Sequence, residues 1–162
     1  MPKTILRSPL ERIFITQVFG VNPAIYGKFG LRGHNGGDFR TAFPNFTPKG
    51  HMHCFSMKPG VVIEARNQDI YIMGIRVKRS GYGLHFRVRH DDGSQSVYGH
   101  MEKLYIKVGD RVSTDTICAL TGNSGFSTGP HLHVGYRPPG WEKMLKNGFA
   151  GYVDFLPFLV KR

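Results

Sequence analysis

Apolar and basic side chains alternate from Leu84 to Arg89 in Leu84-His85-Phe86-Arg87-Val88-Arg89-His90. A period of two places successive side chains on opposite faces of an extended chain. The segment reads as a half-buried strand, with Leu84, Phe86 and Val88 inward and the basic residues outward. Asp91-Asp92-Gly93-Ser94 supplies turn chemistry, so residues 95–101 read as the returning strand of a hairpin. Segments 13–19, 60–65, 70–78, 116–120 and 131–136 carry strand patterns of the same kind. Residues 141–146 are the one helix candidate, and 41–58, rich in proline and aromatics, read as a long loop with room for one strand.

The 21 glycines and 10 prolines agree with many turns between short strands. The expected class is mainly β and antiparallel, in one domain, since 162 residues is an ordinary single-domain length. No stretch approaches the roughly 18 apolar residues of a membrane span, and the expectation is no membrane partner. The longest apolar run near the N-terminus is Ile13-Phe14-Ile15. That is short of the roughly 7–15 residues of a signal-peptide core, so no signal peptide is expected. Cys54 and Cys118 are expected to be reduced thiols. The net charge of +11 points to an anionic partner without saying which.

Eight histidines are many for this length, and their positions matter. In Gly33-His34-Asn35-Gly36-Gly37-Asp38 a histidine and an aspartate lie four apart. Three glycines make a helix costly there, so a bend leading into a strand is expected to aim both side chains at one point. In Gly129-Pro130-His131-Leu132-His133-Val134 the two histidines fall on one face of a strand, with Leu132 and Val134 on the other. Two neutral imidazoles side by side are half of a zinc site, and a catalytic zinc takes three protein ligands and leaves a position for water. His34, Asp38 and one of His131 and His133 make such a set. The other strand histidine is left to handle protons, and His100, on the returning strand, is a second candidate. No His-Glu-x-x-His motif is present, so these histidines would have to serve in place of its glutamate.

These elements resemble the lysostaphin/LytM-type zinc metallopeptidases, which cut peptide bonds in bacterial peptidoglycan. His-x-x-x-Asp, Tyr98-Gly99-His100 and His131-Leu132-His133 occur in the family's order, the last at the end of the glycine-rich stretch Thr121 to Pro130. The resemblance covers about residues 15–137. It implies a barrel-sandwich hybrid (the duplicated hybrid motif) with long connecting loops. It implies zinc on His34, Asp38 and His133, and catalytic roles for His100 and His131. Residues 1–14 and 138–162 are then N- and C-terminal extensions of the domain. The implied activity is that of a zinc endopeptidase acting on stem peptides or cross-bridges of the anionic cell wall, as a monomer, outside the cytoplasm. A phage lysin is one route to that location. Gly37 departs from the family pattern, where an aliphatic residue is usual, and 41–58 match poorly.

Two other readings compete. A non-catalytic member of the same fold would bind wall or activate another hydrolase. A basic nucleic-acid-binding domain is suggested by Arg79-Ser80-Gly81-Tyr82-Gly83-Leu84-His85-Phe86, which echoes an RNA-recognition strand but carries an extra residue, Ser80. The expectation is no nucleic-acid partner. His51-Met52-His53-Cys54 offers metal-ligating types without a matching distant pair, and is read as a loop entering a strand. Pro59-Gly60-Val61-Val62 and Val108-Gly109-Asp110-Arg111-Val112 resemble carrier-domain strands, which reports architecture and not function.

Overall fold

The structure is a computed structural model that describes residues 4–162. Its first elements are β1 (Leu6–Arg7), β2 (Ile15–Gln17), the one-turn helix α1 (Pro23–Tyr26), β3 (Gly37–Arg40) and β4 (His53–Phe55). The middle of the chain forms β5 (Gly60–Asn67), β6 (Ile70–Ile72), β7 (Ile75–Lys78), β8 (Leu84–His90) and β9 (Gln95–Gly99). Then follow β10 (Met101–Leu104), β11 (Arg111–Val112), β12 (Ile117–Thr121), β13 (His131–Arg137) and β14 (Leu159–Val160). The main sheet has seven strands in the order β11-β5-β8-β9-β13-β3-β2, all antiparallel. A second sheet, β10-β12-β4, packs beside it, and β6-β7 stand apart as a ribbon of their own. The sheets do not close into a barrel.

The core lies between the two larger sheets. Phe86, Val88, Tyr98, Leu132 and Val134 come from the main sheet, and Cys54, Met101, Cys118 and Ala119 from the smaller one. Both cysteines are buried free thiols. Inside this core the Tyr98 hydroxyl accepts the Met57 N–H at 2.8 Å and the Ser96 hydroxyl proton at 2.8 Å. The His90 ring joins the chain through Ser96 at 2.8 Å.

The structure corrects the pattern in four places. The basic face of β8 is only partly open to water, since His85 is buried, Arg87 half-buried and only Arg89 exposed, while His90 falls on the inward face with Phe86 and Val88. Glu64 meets His85 and Arg87 on that face, and Tyr152, from the C-terminal segment, receives a hydrogen bond from Arg87 at 2.8 Å. Residues 70–78 are two strands, turned at Met73-Gly74, both with positive φ. The strand expected over 95–101 breaks at His100, and β10 continues in the other sheet. The helix expected at 141–146 is a 3₁₀ turn, Trp141–Met144.

Both ends of the chain return to the body. β1 pairs in parallel with β14, Leu6 opposite Leu159. Gly37 is matched to the same tail, because a Cβ there would stand 3.1 Å from Leu156 Cδ2 and 3.4 Å from Phe155 Cζ. Tail side chains thus occupy the space that a larger residue at position 37 would fill.

Candidate active site

Register assembles the site. His133 on β13 lies opposite Asp38 on β3 and, on its other side, opposite Gly99 on β9. Directly opposed residues in an antiparallel pair point to the same face about 5 Å apart, so Asp38 and His133 meet by construction. His34 enters from the glycine-rich bend, with its N–H bonded to the Val21 carbonyl at 2.8 Å. The bend lies flat against β13 only because Gly36 lacks a side chain: a Cβ there would be 2.2 Å from the Val134 carbonyl oxygen and 2.7 Å from the His133 ring.

Three atoms converge. His34 Nε2 is 3.1 Å from Asp38 Oδ1, His133 Nδ1 is 3.0 Å from the same oxygen, and the two nitrogens are 3.0 Å apart. All three residues are buried. His34 Nδ1 donates to the Val18 carbonyl at 3.0 Å, which leaves Nε2 as a bare lone pair. That lone pair faces a carboxylate and a second ring nitrogen, an arrangement that calls for a cation. Burial alone would push the Asp38 carboxyl up, but the facing nitrogens of His133 and His34, which hydrogen-bond it when they carry a proton, outweigh burial and hold the group far below the usual carboxylate range. Burial also depresses the His133 imidazole, favouring the neutral ligand form. Two neutral imidazoles and one carboxylate on a near-equilateral triangle fit a zinc ion. The triangle is slightly tighter than the edge of roughly 3.3 Å that Zn–N bonds of about 2.0–2.1 Å produce.

Two more imidazoles flank this triangle. His100 Nδ1 donates to the Ser124 carbonyl at 2.7 Å, and His131 Nδ1 lies 2.9 Å from the Gly129 carbonyl. Both rings therefore turn a bare Nε2 away from the backbone. His131 Nε2 is 3.7 Å from the second Asp38 oxygen, Oδ2, and the two rings are 4.5 Å apart centre to centre. His100 is held at φ 67°, an uncommon conformation for a residue with a side chain, by its N–H donating to the Tyr82 carbonyl at 2.7 Å. Burial, with the neighbouring His131 and His133, pulls His100 down to about 3. It is neutral at any ordinary pH, with its Nε2 lone pair free to accept a hydrogen bond.

Four of the five residues singled out in the sequence, Asp38, His100, His131 and His133, line one groove of 540 Å³, and the fifth, His34, is fully buried. The groove walls carry Tyr26, Phe29, Phe126 and Arg79. His51 and His53 stand elsewhere and join no metal-ligating cluster among the described residues.

Sequence reasoning missed Tyr82 and Tyr152. Tyr82 stacks on His133, with centroids 5.3 Å apart and planes at 29°. Its hydroxyl receives the Asn35 amide at 3.2 Å and donates to the Tyr152 hydroxyl at 3.5 Å. Burial pushes its phenol far up, so it stays protonated. The available signal is the Gly81-Tyr82-Gly83 bend, which in the sequence reads only as part of the RNA-like echo.

The sequence model for peptidase family M23 matches residues 32–144. Peptidoglycan DD-endopeptidase ShyA of Vibrio cholerae is 33% identical over 100 residues, which cover 62% of this chain and 19% of that protein. The glycyl-glycine endopeptidase ALE-1 of Staphylococcus capitis is 44% identical over 74 residues, 44% of this chain and 18% of that one. The chain thus spans about a fifth of the length of these curated relatives. The catalytic domain of the antimicrobial peptidase lysostaphin from Staphylococcus simulans superposes with a TM-score of 0.65 at 23% identity, covering 90% of this chain and 91% of that one. The shared fold is mostly β with antiparallel sheets.

Proposed function

The chain belongs to peptidase family M23, and from that premise we propose that it is a zinc-dependent endopeptidase hydrolysing peptide bonds in peptidoglycan stem peptides or cross-bridges. The observation that carries this reading is the buried triangle of His34, Asp38 and His133, with the bare Nε2 atoms of His100 and His131 beside it. His34, Asp38 and His133 would hold the zinc. When bound, zinc supplies a water of lowered pKa and a Lewis acid for the scissile carbonyl.

The remaining work falls to the chain. His100, neutral and fixed by Ser124, takes up a proton at Nε2. His131, seated against Gly129 and near Asp38, is the partner that carries a proton to the departing amine or steadies the developing oxyanion. The Asp38 carboxylate lies 3.7 Å from His131 Nε2. The groove walls shield these transfers from bulk water.

The catalytic unit in this reading is residues 15–137, with 1–14 and 138–162 as extensions, and the β1–β14 pairing supports treating the two extensions together. The +11 charge suits an anionic wall in the extracellular or periplasmic space. A non-catalytic member of the fold would have no need to retain all five residues.

The test begins with zinc stoichiometry. The protein is then incubated with peptidoglycans of defined cross-bridge, and the fragments are identified by mass spectrometry. New amine termini that disappear with a chelator, and in His133→Ala and His131→Ala, are expected. A zinc-free protein that opens no wall preparation would overturn the proposal.

A further inference from the structure

The β6–β7 ribbon pairs only with itself and carries apolar side chains that nothing covers. Met73, at the turn, is 96% exposed, Ile75 69% and Ile72 59%. Ile70, Tyr71 and Val77 are exposed as well. Pairing sets Ile72 opposite Ile75 on one face, while Tyr71 and Arg76 are paired in the register between Ile72 and the base. Lys78 and Arg79 follow on the returning strand. Residues 66–79 hold four basic side chains against one acid, Asp69. That acid is buried at the ribbon's base, where it accepts the N–H groups of Ser80 at 2.8 Å and Gly125 at 3.0 Å, with Arg76 at 3.4 Å. The ribbon is therefore a pinned projection and not a loose loop.

We propose that the β6–β7 ribbon docks the protein on an anionic phospholipid surface, with the Ile72–Met73–Ile75 tip among the acyl chains and the basic residues at the headgroups. Water gives aliphatic side chains on a projecting tip no stabilisation, and a fluid apolar phase covers such a convex tip from every side. Tyrosine and arginine suit the boundary, each with an apolar body and a polar end. A second feature on the ribbon's basic side fits the same partner. A 360 Å³ hollow is lined by Arg76, Arg79, Asn67, Asn123 and Ser124, with Glu102 the acid among them. Arg76 and Arg79 each have one Nη1 engaged, with Asp69 at 3.4 Å and with the Asn123 carbonyl at 2.6 Å, and their remaining N–H groups are donors a phosphodiester would use. The sequence expectation of no membrane partner concerned spanning segments, and no helix here is long and apolar enough to span. A shallow finger needs no span. The ribbon's base also reaches the groove, through Gln68 and Arg79, so docking would hold the groove close to the bilayer. This proposal does not depend on zinc or on peptidase activity.

The experiment is flotation of the full chain with vesicles of phosphatidylcholine alone and with 30% phosphatidylglycerol, at two salt concentrations. Binding is expected only to the anionic vesicles. Ile72→Ser with Ile75→Ser is expected to lower it at least tenfold. Arg76→Gln with Lys78→Gln is expected to lower it severalfold and to flatten its salt dependence. Lys49→Gln with Lys107→Gln, an equal charge change away from the ribbon, is expected to stay within twofold of the parent. Met73→Trp adds a direct readout: blue-shifted emission quenched by brominated acyl chains. Thermal unfolding of each variant confirms that it folds. Absence of binding to anionic vesicles overturns the proposal. So does equal loss in the ribbon and control lysine variants, which would assign the binding to overall charge. A parent dimer that the isoleucine variant dissociates, with vesicle binding unchanged, also overturns it and makes the ribbon a contact between copies.

Discussion

His90 is expected to make the fold acid-sensitive well above the carboxylate range. Its ring is buried, with Nδ1 on the Pro59 carbonyl at 3.0 Å and Nε2 on Ser96. Burial depresses its pKa from 6.5 to about 4, with Lys58 adding to the effect. The unfolded chain thus binds a proton that the folded chain refuses between about pH 6.5 and 4. Stability is full above that window and is lost as the pH falls through it. For these two pKa values, the loss between pH 7 and pH 5 is about 2 kcal/mol from this residue alone. His90→Asn stays uncharged at every pH and removes the term, whatever its cost in absolute stability. The assay is guanidinium unfolding of the metal-free parent and variant at pH 5, 6 and 7. The parent is expected to lose about 2 kcal/mol more than the variant across that range. Stability curves for the two that run parallel within about 0.5 kcal/mol would refute the linkage argument, because the buried ring would then not be excluded from protonation.

Three further outcomes follow from the packing and the site. Tyr98→Phe strips the partner from the buried Met57 N–H and Ser96 hydroxyl; a loss of about 2–4 kcal/mol is expected, read as a lower melting temperature. Gly36→Ala has no room, with its Cβ 2.2 Å from the Val134 carbonyl. It is expected to cost about 1–3 kcal/mol and to weaken metal retention, measured by chelator competition, because the displaced strand carries His133. Asp38→Asn removes the only charge among the three convergent donors, and zinc affinity by competition is expected to fall by at least ~100-fold. The same variant is expected to remain folded by circular dichroism.

Much of the site was legible because its members lie in short local patterns. His131 and His133 flank Leu132, and the strand period alone places them on one side. His34 and Asp38 lie in a stretch where glycines exclude a helix. What the patterns left open was which strand histidine joins His34 and Asp38. In the structure His133 stands opposite Asp38 in register, and that pairing brings its Nδ1 to the triangle. His131, two residues earlier, is opposite Arg40 and comes no closer to the carboxylate than 3.7 Å. Tyr82 and Tyr152 were not legible. They lie 70 positions apart, and no spacing rule relates a bend before β8 to a tail after β13.

The ribbon at Met73-Gly74 shows the same limit on a smaller scale. Ile70 to Lys78 carries enough β-branched residues to read as one strand, and only positive φ at both turn positions folds it back. Local chemistry by itself determined the β class, the strand faces and the five polar residues of the site, because alternation, glycine bends and metal-ligand types act over a few bonds. The tertiary structure decided the triangle of His34, Asp38 and His133, the tautomers of His100 and His131, the stacking of Tyr82 and the burial of His85 on the basic face of β8. Each of these depends on which distant strand lies opposite, and register is fixed by the packing of the whole sheet.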